Sequence, residues 1–185
     1  MRRPDNRAIT HCILTGQEIT VTDTNQIIGT NGVDDSYTLQ AWVKVAVNYS
    51  PAQTATLFQY DRKLGFALSI NPNRTLHTSA FNVQQNIPSG SAWPNDGQWH
   101  YVAVVHTAGA DMKFYVDSAL VSTVAYTGGA GYRTSADITM GAGADGANLF
   151  TGNLDWVRFD NHALPAAQFG FPACRPLKSE KIATR

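Results

Sequence analysis

Histidine and cysteine, which often bind zinc or form nucleophile pairs, are few and widely spaced in this sequence. Cys12 and Cys174 stand near opposite ends of the chain, and a largely apolar segment separates His100 from His106. Zinc sites draw their ligands from more closely spaced pairs. A serine nucleophile is equally unsupported, because no Gly-x-Ser-x-Gly pattern occurs. We therefore expect neither a zinc site nor a serine hydrolase.

Calcium is the metal that the sequence could hold, because a hard cation needs only oxygen ligands. The segment 141–148 places Asp145 and Asn148 among glycines, and Asp34 and Asp35 could contribute further carboxylates. Calcium sites normally gather more carboxylates than one loop supplies. The alternative, that these residues only form turns, therefore stays open. No other cofactor is indicated.

The charge balance excludes binding classes that depend on a basic surface. The chain has 185 residues, with 14 Lys and Arg against 14 Asp and Glu, and a pI near 7.0. Binding to nucleic acids or anionic membranes depends largely on clustered positive charge, so we expect neither as a partner. No apolar run approaches the ~20 residues of a membrane span. The N-terminal segment also lacks the apolar core of a signal peptide, so we expect the chain to stay where it is made.

Strand-forming residues dominate and predict an all-β fold. Glutamate occurs only at Glu18 and Glu180, so residues that fill exposed helix faces are scarce. Loops are expected at 86–91 and 127–131, and one short helical turn at 165–169. Period-2 patterns predict strands near 9–14, 18–22, 36–47, 54–60, 64–70, 75–82, 98–107, 111–117, 119–126, 136–140 and 149–160. So many strands imply two packed sheets.

Two of these strands indicate which faces are buried. Every second residue from Tyr37 to Val47 is apolar and the residues between them are largely polar, which predicts one core face and one partly hydrated face. In 98–107 both faces are largely apolar, as expected for a central strand covered on both sides. Trp99 and His100 are therefore predicted to lie in the core.

The chain is expected to be one domain with two polar arms. The folded domain is predicted at 9–174, with an N-terminal arm at 1–8 and a C-terminal arm at 175–185. Cys12 and Cys174 are predicted to be buried thiols, and a disulfide joining the two ends is the alternative.

Three segments carry motifs in order along the chain. Residues 37–43 read YTLQAWV, 96–105 read DGQWHYVAVV and are followed by MKFYVD at 112–117 and LV at 120–121, and 152–164 read GNLDWVRFDNHAL. These resemble, respectively, an early strand, the central hairpin and the closing signature of laminin G-like domains in the concanavalin A-like lectin/glucanase superfamily. The match covers about 36–169. It implies an all-β fold, a two-sheet antiparallel β-sandwich of jelly-roll topology.

Two positions depart from the pattern of laminin G-like domains. Ser118 follows Asp117 where the family usually has glycine, so a different type of hairpin turn is expected there. Trp156 replaces an acidic or polar residue of the closing signature. It is either an outward hydrophobic contact or a core side chain, and the sequence leaves both open.

The resemblance also bears on catalysis and on metal binding. Related glycoside hydrolases use a Glu-x-Asp-x-Glu pattern on one strand, whereas Glu18 and Glu180 lie outside the matched region. We therefore expect no enzyme. Laminin G-like domains often bind calcium at the sandwich rim, which adds to the calcium hypothesis for Asp145 and Asn148.

These observations predict a non-catalytic binding or assembly module. The first hypothesis is a structural, decoration or adhesion protein on the surface of a bacteriophage-like virion, assembled in the host cytoplasm as a homo-oligomer with other virion proteins. The second is a stand-alone, extracellular lectin-like protein of a cellular organism. Interface contacts are expected from Trp156 and the C-terminal arm, namely Leu177, Lys178, Lys181 and Ile182. A cell-surface glycan would contact the loop residues Trp93, Tyr132 and Asn148.

Overall fold

The computed structural model describes residues 18–22, 36–60, 65–80, 84–127, 137–143 and 145–170. Within these ranges the chain forms eleven strands and one turn of 3-10 helix at Ala166–Gln168. The strands are β1 (Ile19–Thr22), β2 (Tyr37–Lys44), β3 (Ala55–Tyr60), β4 (Phe66–Ile70), β5 (Thr75–Ala80), β6 (Gln84–Ala92), β7 (Trp99–Thr107), β8 (Asp111–Val116), β9 (Ala119–Ala125), β10 (Asp137–Met140) and β11 (Asn153–Asp160).

Two antiparallel sheets pack face to face. One has six strands in the order β1-β10-β3-β4-β5-β6, and the other has five in the order β11-β2-β7-β8-β9. Strands far apart in sequence are neighbours in each sheet, because the chain crosses repeatedly from one sheet to the other. The predicted all-β fold, a two-sheet antiparallel β-sandwich of jelly-roll topology, is confirmed.

The main core lies between the two sheets. Alternate residues of β2 from Tyr37 to Val43 face it and are at most 2% exposed. Phe66 of β4 stacks on Tyr37, with ring centroids 4.3 Å apart. Aromatic side chains of this size contribute much of the area removed from water. The core face predicted for β2 is therefore confirmed, except at Val47, which is 62% exposed because the strand ends before it.

A second, smaller apolar cluster covers the outer face of the five-stranded sheet. Tyr101 and Val105 of β7 belong to it, whereas Val102 and Val104 of the same strand face the main core. The prediction that β7 is a central strand buried on both sides is confirmed for these residues. The cover is the segment 161–170, called here the covering segment, which includes the predicted helical turn.

The covering segment explains why polar side chains of β2 are buried. Thr38 Oγ1 donates to the carbonyl oxygen of His162 at 2.8 Å and accepts from the backbone N–H of Leu164 at 2.8 Å. Gln40 Nε2 donates to the carboxylate of Asp160 at 2.8 Å. Because these hydrogen bonds replace those that the side chains would make with water, Thr38 and Gln40 can be fully buried. The predicted partly hydrated face is therefore wrong for this half of β2.

β6 occupies positions expected to form the loop 86–91. It pairs with β5 at the edge of the six-stranded sheet, with register shifts between Thr75 and His77 and between Thr78 and Ala80. Proline and glycine are tolerated on edge strands and at bulges, because fewer ladder hydrogen bonds are needed there. The loop prediction is therefore wrong.

Trp99 and His100, at the start of β7, lie outside the core. Trp99 is half-buried and belongs to neither apolar cluster of the described residues. His100 lies between two carboxylates, with Nδ1 2.7 Å from Asp117 and Nε2 2.9 Å from Asp96. Their predicted core placement is wrong because β7 starts at the sandwich rim, where Trp99 pairs with Lys44 at the end of β2.

Some predictions concern parts of the chain outside the described residues. Among the described ranges, no helix is long and apolar enough to cross a membrane. The limits of the folded domain at 9–174 stay a prediction. The features outside the description are the strand at 9–14, the arms at 1–8 and 175–185, Cys12, Cys174 and most of the loop at 127–131.

Candidate functional site

Two loops at one end of the sandwich form a shallow groove of about 630 Å³, called here the rim groove. One wall is the connection between β2 and β3, and the other is the connection between β10 and β11. Such a volume is within the usual range for small-ligand sites. The lining residues are Tyr49, Ser50, Pro51, Ala52, Gln53, Thr54, Gly146, Ala147, Asn148, Leu149 and Thr151.

Backbone hydrogen bonds fix the two walls relative to the sheets. The N–H of Thr56 on β3, directly after the first wall, donates to the carbonyl oxygen of Asn148 in the second wall at 2.8 Å. This hydrogen bond holds the two walls together. The N–H of Phe150 donates to the carbonyl oxygen of Gly141 at 2.8 Å. Asn148 adopts a φ of 55°, a left-handed conformation that asparagine tolerates better than most residues. The groove is therefore held in shape before any ligand arrives.

Tyr49 anchors the first wall rather than extending into the groove as a free phenol. Its ring meets Phe150 edge-on at a centroid distance of 6.1 Å, and its backbone N–H donates to Asn95 Oδ1 at 2.8 Å. Burial raises the pKa of the Tyr49 hydroxyl, and a backbone hydrogen bond with Thr151 only partly opposes this. Tyr49 is therefore neutral at physiological pH.

The rim groove combines uncharged polar groups with apolar surface. Among the described residues that line it there is no Asp, Glu, His or Cys. Gln53 and Asn148 are exposed, and no hydrogen bond of either side-chain amide is found within the described part of the chain. Leu149, 55% exposed, adds apolar surface. The groove can therefore donate and accept hydrogen bonds, and its described lining offers no carboxylate, imidazole or thiol.

The predicted glycan residues do not come together. Asn148 lines the rim groove, but Trp93 is 3% exposed and belongs to the main core, where its ring is perpendicular to that of His100. A buried indole is not available as a surface platform, so the role predicted for Trp93 needs correction. The loop bearing it folds inward, which residue type alone does not indicate. Tyr132 lies outside the described residues.

Asp145 has a turn-forming role in the structure. Its Oδ1 accepts from the backbone N–H of Ala147 at 3.2 Å. Within the described ranges, no three His, Cys, Asp or Glu side chains gather closely enough to hold a metal ion. Asp34 and Asp35 lie outside these ranges. Calcium binding by Asp145 and Asn148 therefore stays a prediction.

A β-bulge sets the position of Trp156. The register of β11 against β2 shifts between Asp155 and Arg158, and Trp156 itself has a φ of 48°. The bulge leaves Trp156 on the outer face, where it packs half-buried against the second cluster, while Leu154 and Val157 on either side face the main core. The predicted interface residues Leu177, Lys178, Lys181 and Ile182 lie outside the described residues.

Sequence reasoning missed most of the groove. Ser50, Gln53 and Thr54 show only a loop signal in the sequence, because nothing near them indicates which other loop they will face. Their position opposite 146–151 depends on the pairing of β3 with β10, which is a long-range feature of the fold.

A family model of the concanavalin A-like lectin/glucanase superfamily matches residues 15–169. The chain belongs to this superfamily. The predicted resemblance to its laminin G-like members is thus confirmed over most of the chain. No curated protein sequence matches the chain significantly.

Solved structures of this superfamily fold include binding domains of toxins. The binding domain of Paraclostridial mosquitocidal protein 1 aligns with a TM-score of 0.63 at 14% identity, over 88% of this chain and 44% of that one. The binding domain of botulinum neurotoxin DC, solved with rat synaptotagmin II, aligns with a TM-score of 0.59 at 13% identity, over 88% and 45%. The chain thus spans less than half the length of these toxin domains.

A domain of a carbohydrate-active enzyme is similar over more of its own length. Domain 4 of the extracellular GH43 arabinanase AbnA from Geobacillus stearothermophilus, solved in complex with arabinotriose, aligns with a TM-score of 0.59 at 18% identity. The alignment covers 84% of this chain and 72% of that one. At these levels of identity the likeness is one of fold.

Proposed function

We propose that the protein is a non-catalytic binding module that takes an uncharged saccharide in the rim groove. The observation that carries this proposal is the groove lining, which offers amide and hydroxyl groups and, among its described residues, no carboxylate or imidazole. Saccharides present many hydroxyl groups to a shallow surface, and uncharged donors and acceptors match them. An enzyme acting on such a ligand would instead need a pair of carboxylates.

The comparisons support a binding role on this fold. The arabinanase domain was solved with arabinotriose, and the botulinum toxin binding domain with rat synaptotagmin II. This chain aligns with 72% of the arabinanase domain but with only 45% of the toxin domain, so the arabinanase domain is the more informative comparison. A saccharide suits this chain because the groove places amide and hydroxyl groups beside apolar surface, and these match the hydroxyl and C–H groups of a sugar ring.

Three side chains in the groove would contact the saccharide. Gln53 and Asn148 extend from opposite walls and would hydrogen-bond to hydroxyl groups of one sugar ring. Leu149 offers apolar surface to the C–H groups of that ring. Because backbone hydrogen bonds already fix the two walls, binding requires little further loss of loop conformational entropy.

Binding to a glycan array, followed by titration with the strongest ligand, tests the proposal. Gln53→Ala and Asn148→Gly should each weaken binding by about five- to tenfold, as expected for one lost hydrogen bond of about 1–1.4 kcal/mol. Glycine keeps the left-handed φ of position 148 without strain, so Asn148→Gly removes the amide and little else.

Gln98→Ala is the matched control, because Gln98 is also an exposed amide but lies outside the groove. It should bind like the wild type. Binding that survives both groove substitutions would move the site elsewhere, and release of shortened saccharides during incubation would contradict the non-catalytic assignment.

We propose a virion surface as the setting of this module, where a sandwich of the type found in binding domains would serve recognition. There it would act as a decoration or adhesion protein among other virion proteins. Co-sedimentation of the protein with assembled particles is the measurement that separates this setting from that of a free extracellular lectin.

A further inference from the structure

A second group of side chains with binding chemistry lies away from the rim groove, on the outer face of the five-stranded sheet. Lys44 of β2 pairs with Trp99 of β7, and Trp42 pairs with Tyr101 two positions further along. Cross-strand partners lie on the same face of a sheet. The Cα atoms of diagonal neighbours such as Trp42 and Trp99 are about 7–8 Å apart. Trp42, Lys44 and Trp99, called here the indole patch, are all half-buried.

The fold accounts for only part of the indole patch. The covering segment packs on the neighbouring part of this face through Leu164 and Phe169, and Trp42 borders that cluster with its ring edge-on to Tyr101 at 5.6 Å. Trp99 belongs to neither apolar cluster formed by the described residues. A large aromatic side chain that packs into no core and stays partly exposed is a candidate contact for a ligand.

Lys44 differs from the other positive charges on this face. Lys113 pairs with Asp111 at 3.1 Å, and Arg158 pairs with Asp160 at 2.6 Å. For Lys44 no ion pair or hydrogen bond of the ammonium group is found among the described residues. Lys44 therefore stands opposite Trp99 and two positions from Trp42 on this face, and no carboxylate of the described residues is in contact with its ammonium group.

We propose that the indole patch is a second binding site, specific for an acidic saccharide. Indole rings offer flat apolar surfaces to the C–H faces of sugar rings, and the spacing of Trp42 and Trp99 suits two successive rings. The Lys44 ammonium pairs with a carboxylate or sulfate of the ligand. This site goes beyond the uncharged ligand of the rim groove, since Lys44 gives the indole patch a cation and no described residue lining the rim groove is charged.

The strand next to β2 sets the orientation of the ligand. Asp155 of β11 lies opposite Trp42, and Asn153 lies opposite Lys44, both on this face. The ligand's carboxylate or sulfate therefore lies toward Lys44, where the amide of Asn153 can donate a further hydrogen bond to it.

The test uses an array of saccharides bearing uronate, sialate or sulfate groups, each beside its methyl-esterified or desulfated counterpart. The wild type should retain acidic members and bind the neutralised forms at least about tenfold more weakly, equivalent to about 1.4 kcal/mol. Lys44→Gln should lose about the same factor. Trp99→Ala should lose as much or more, and Trp99→Phe should recover part of the binding because it keeps a flat ring.

Lys113→Gln is the control, because it removes a half-buried lysine from the same sheet face outside the patch. It should leave binding of acidic saccharides unchanged, and melting temperatures of all variants confirm folding. Gln53→Ala should also retain binding of acidic saccharides. The variants therefore distinguish failure of the rim-groove proposal from failure of the indole-patch proposal.

Three outcomes would overturn the proposal. The first is that no acidic saccharide is retained, and the second is that retention is unaffected by Lys44→Gln. The third is a dimer of the wild-type protein in sedimentation velocity that Trp99→Ala converts to monomer, which would assign this face to a second copy of the chain.

Discussion

His100 is held in its charged form by two carboxylates. A neutral imidazole has a single N–H, yet Nδ1 lies 2.7 Å from Asp117 and Nε2 lies 2.9 Å from Asp96, so only the imidazolium can donate to both. Burial lowers the pKa of His100, but the hydrogen bonds to Asp117 and Asp96 outweigh it and the pKa is raised above 6.5. The hydrogen bond from His100 in turn lowers the pKa of Asp96.

A pH-dependent contribution to stability follows from this raised pKa. The folded state binds the proton more tightly than the unfolded state, so the contribution is complete below the ordinary histidine pKa of 6.5 and is lost as pH rises through the raised value. Since both carboxylates are about half exposed, we expect about 1 kcal/mol. Urea unfolding of wild type and His100→Gln at pH 6 and pH 9 should show a difference between the proteins that shrinks at pH 9. A difference of equal size at both values would contradict this account.

At the scale of elements, the hairpin between β8 and β9 has an unusual turn for its sequence. Asp117 and Ser118 have φ values of 48° and 70°, and Val116 pairs with Ala119 across the turn. Two central residues with positive φ define a type I′ turn, which matches the twist of the paired strands. The different turn type expected from the missing glycine is therefore wrong, because Ser118 accepts the strained conformation instead.

Glycine at position 118 should relieve this strain. A left-handed φ destabilises a folded protein by about 1–2 kcal/mol at a non-glycine residue. Glycine avoids this strain, but its greater freedom in the unfolded chain lowers the free energy of unfolding by about 0.5–1 kcal/mol. We therefore expect Ser118→Gly to stabilise the protein by about 0.5–1 kcal/mol, measured as a higher urea midpoint at unchanged slope. Ser122→Gly, within β9, is the matched control and should destabilise by a similar amount. A lower midpoint for Ser118→Gly would show that the turn is not strained.

The sequence predicted those elements whose pattern is local. Alternation from Tyr37 onward predicted the core face of β2, and the two apolar faces of 98–107 predicted a central strand. The pattern failed where distant segments decide burial. Gln40 is buried because the covering segment lies over it, with the N–H of Gly170 donating to its side chain, and Trp93 is buried because its loop turns inward. The rim groove could not be predicted from the sequence for the same reason, since its two walls meet only in the folded chain.

At the scale of the whole molecule, two apolar clusters share the five-stranded sheet. β7 contributes to both, with Val102 on one side and Tyr101 on the other. The covering segment is tied to this sheet by Phe169, whose ring is perpendicular to that of Tyr115 at 5.0 Å, and by the N–H of Gly170, which donates to Gln40 Oε1 at 3.3 Å. The two clusters are therefore expected to unfold together.

Phe169→Ala tests whether the outer cluster is part of the cooperative unit. Phe169 is 6% exposed, so its removal leaves a cavity over the sheet, and we expect a loss of about 3 kcal/mol with a single transition. Indole fluorescence reports on both clusters, since Trp42 and Trp156 border the outer one and Trp93 lies in the main core. The unfolding transition followed by indole fluorescence should coincide with the transition followed by circular dichroism of the strands. Leu120→Ala, at a position 53% exposed, should change stability by less than about 0.5 kcal/mol. An early fluorescence transition in Phe169→Ala would instead show that the covering segment detaches on its own, and that the sandwich folds without it.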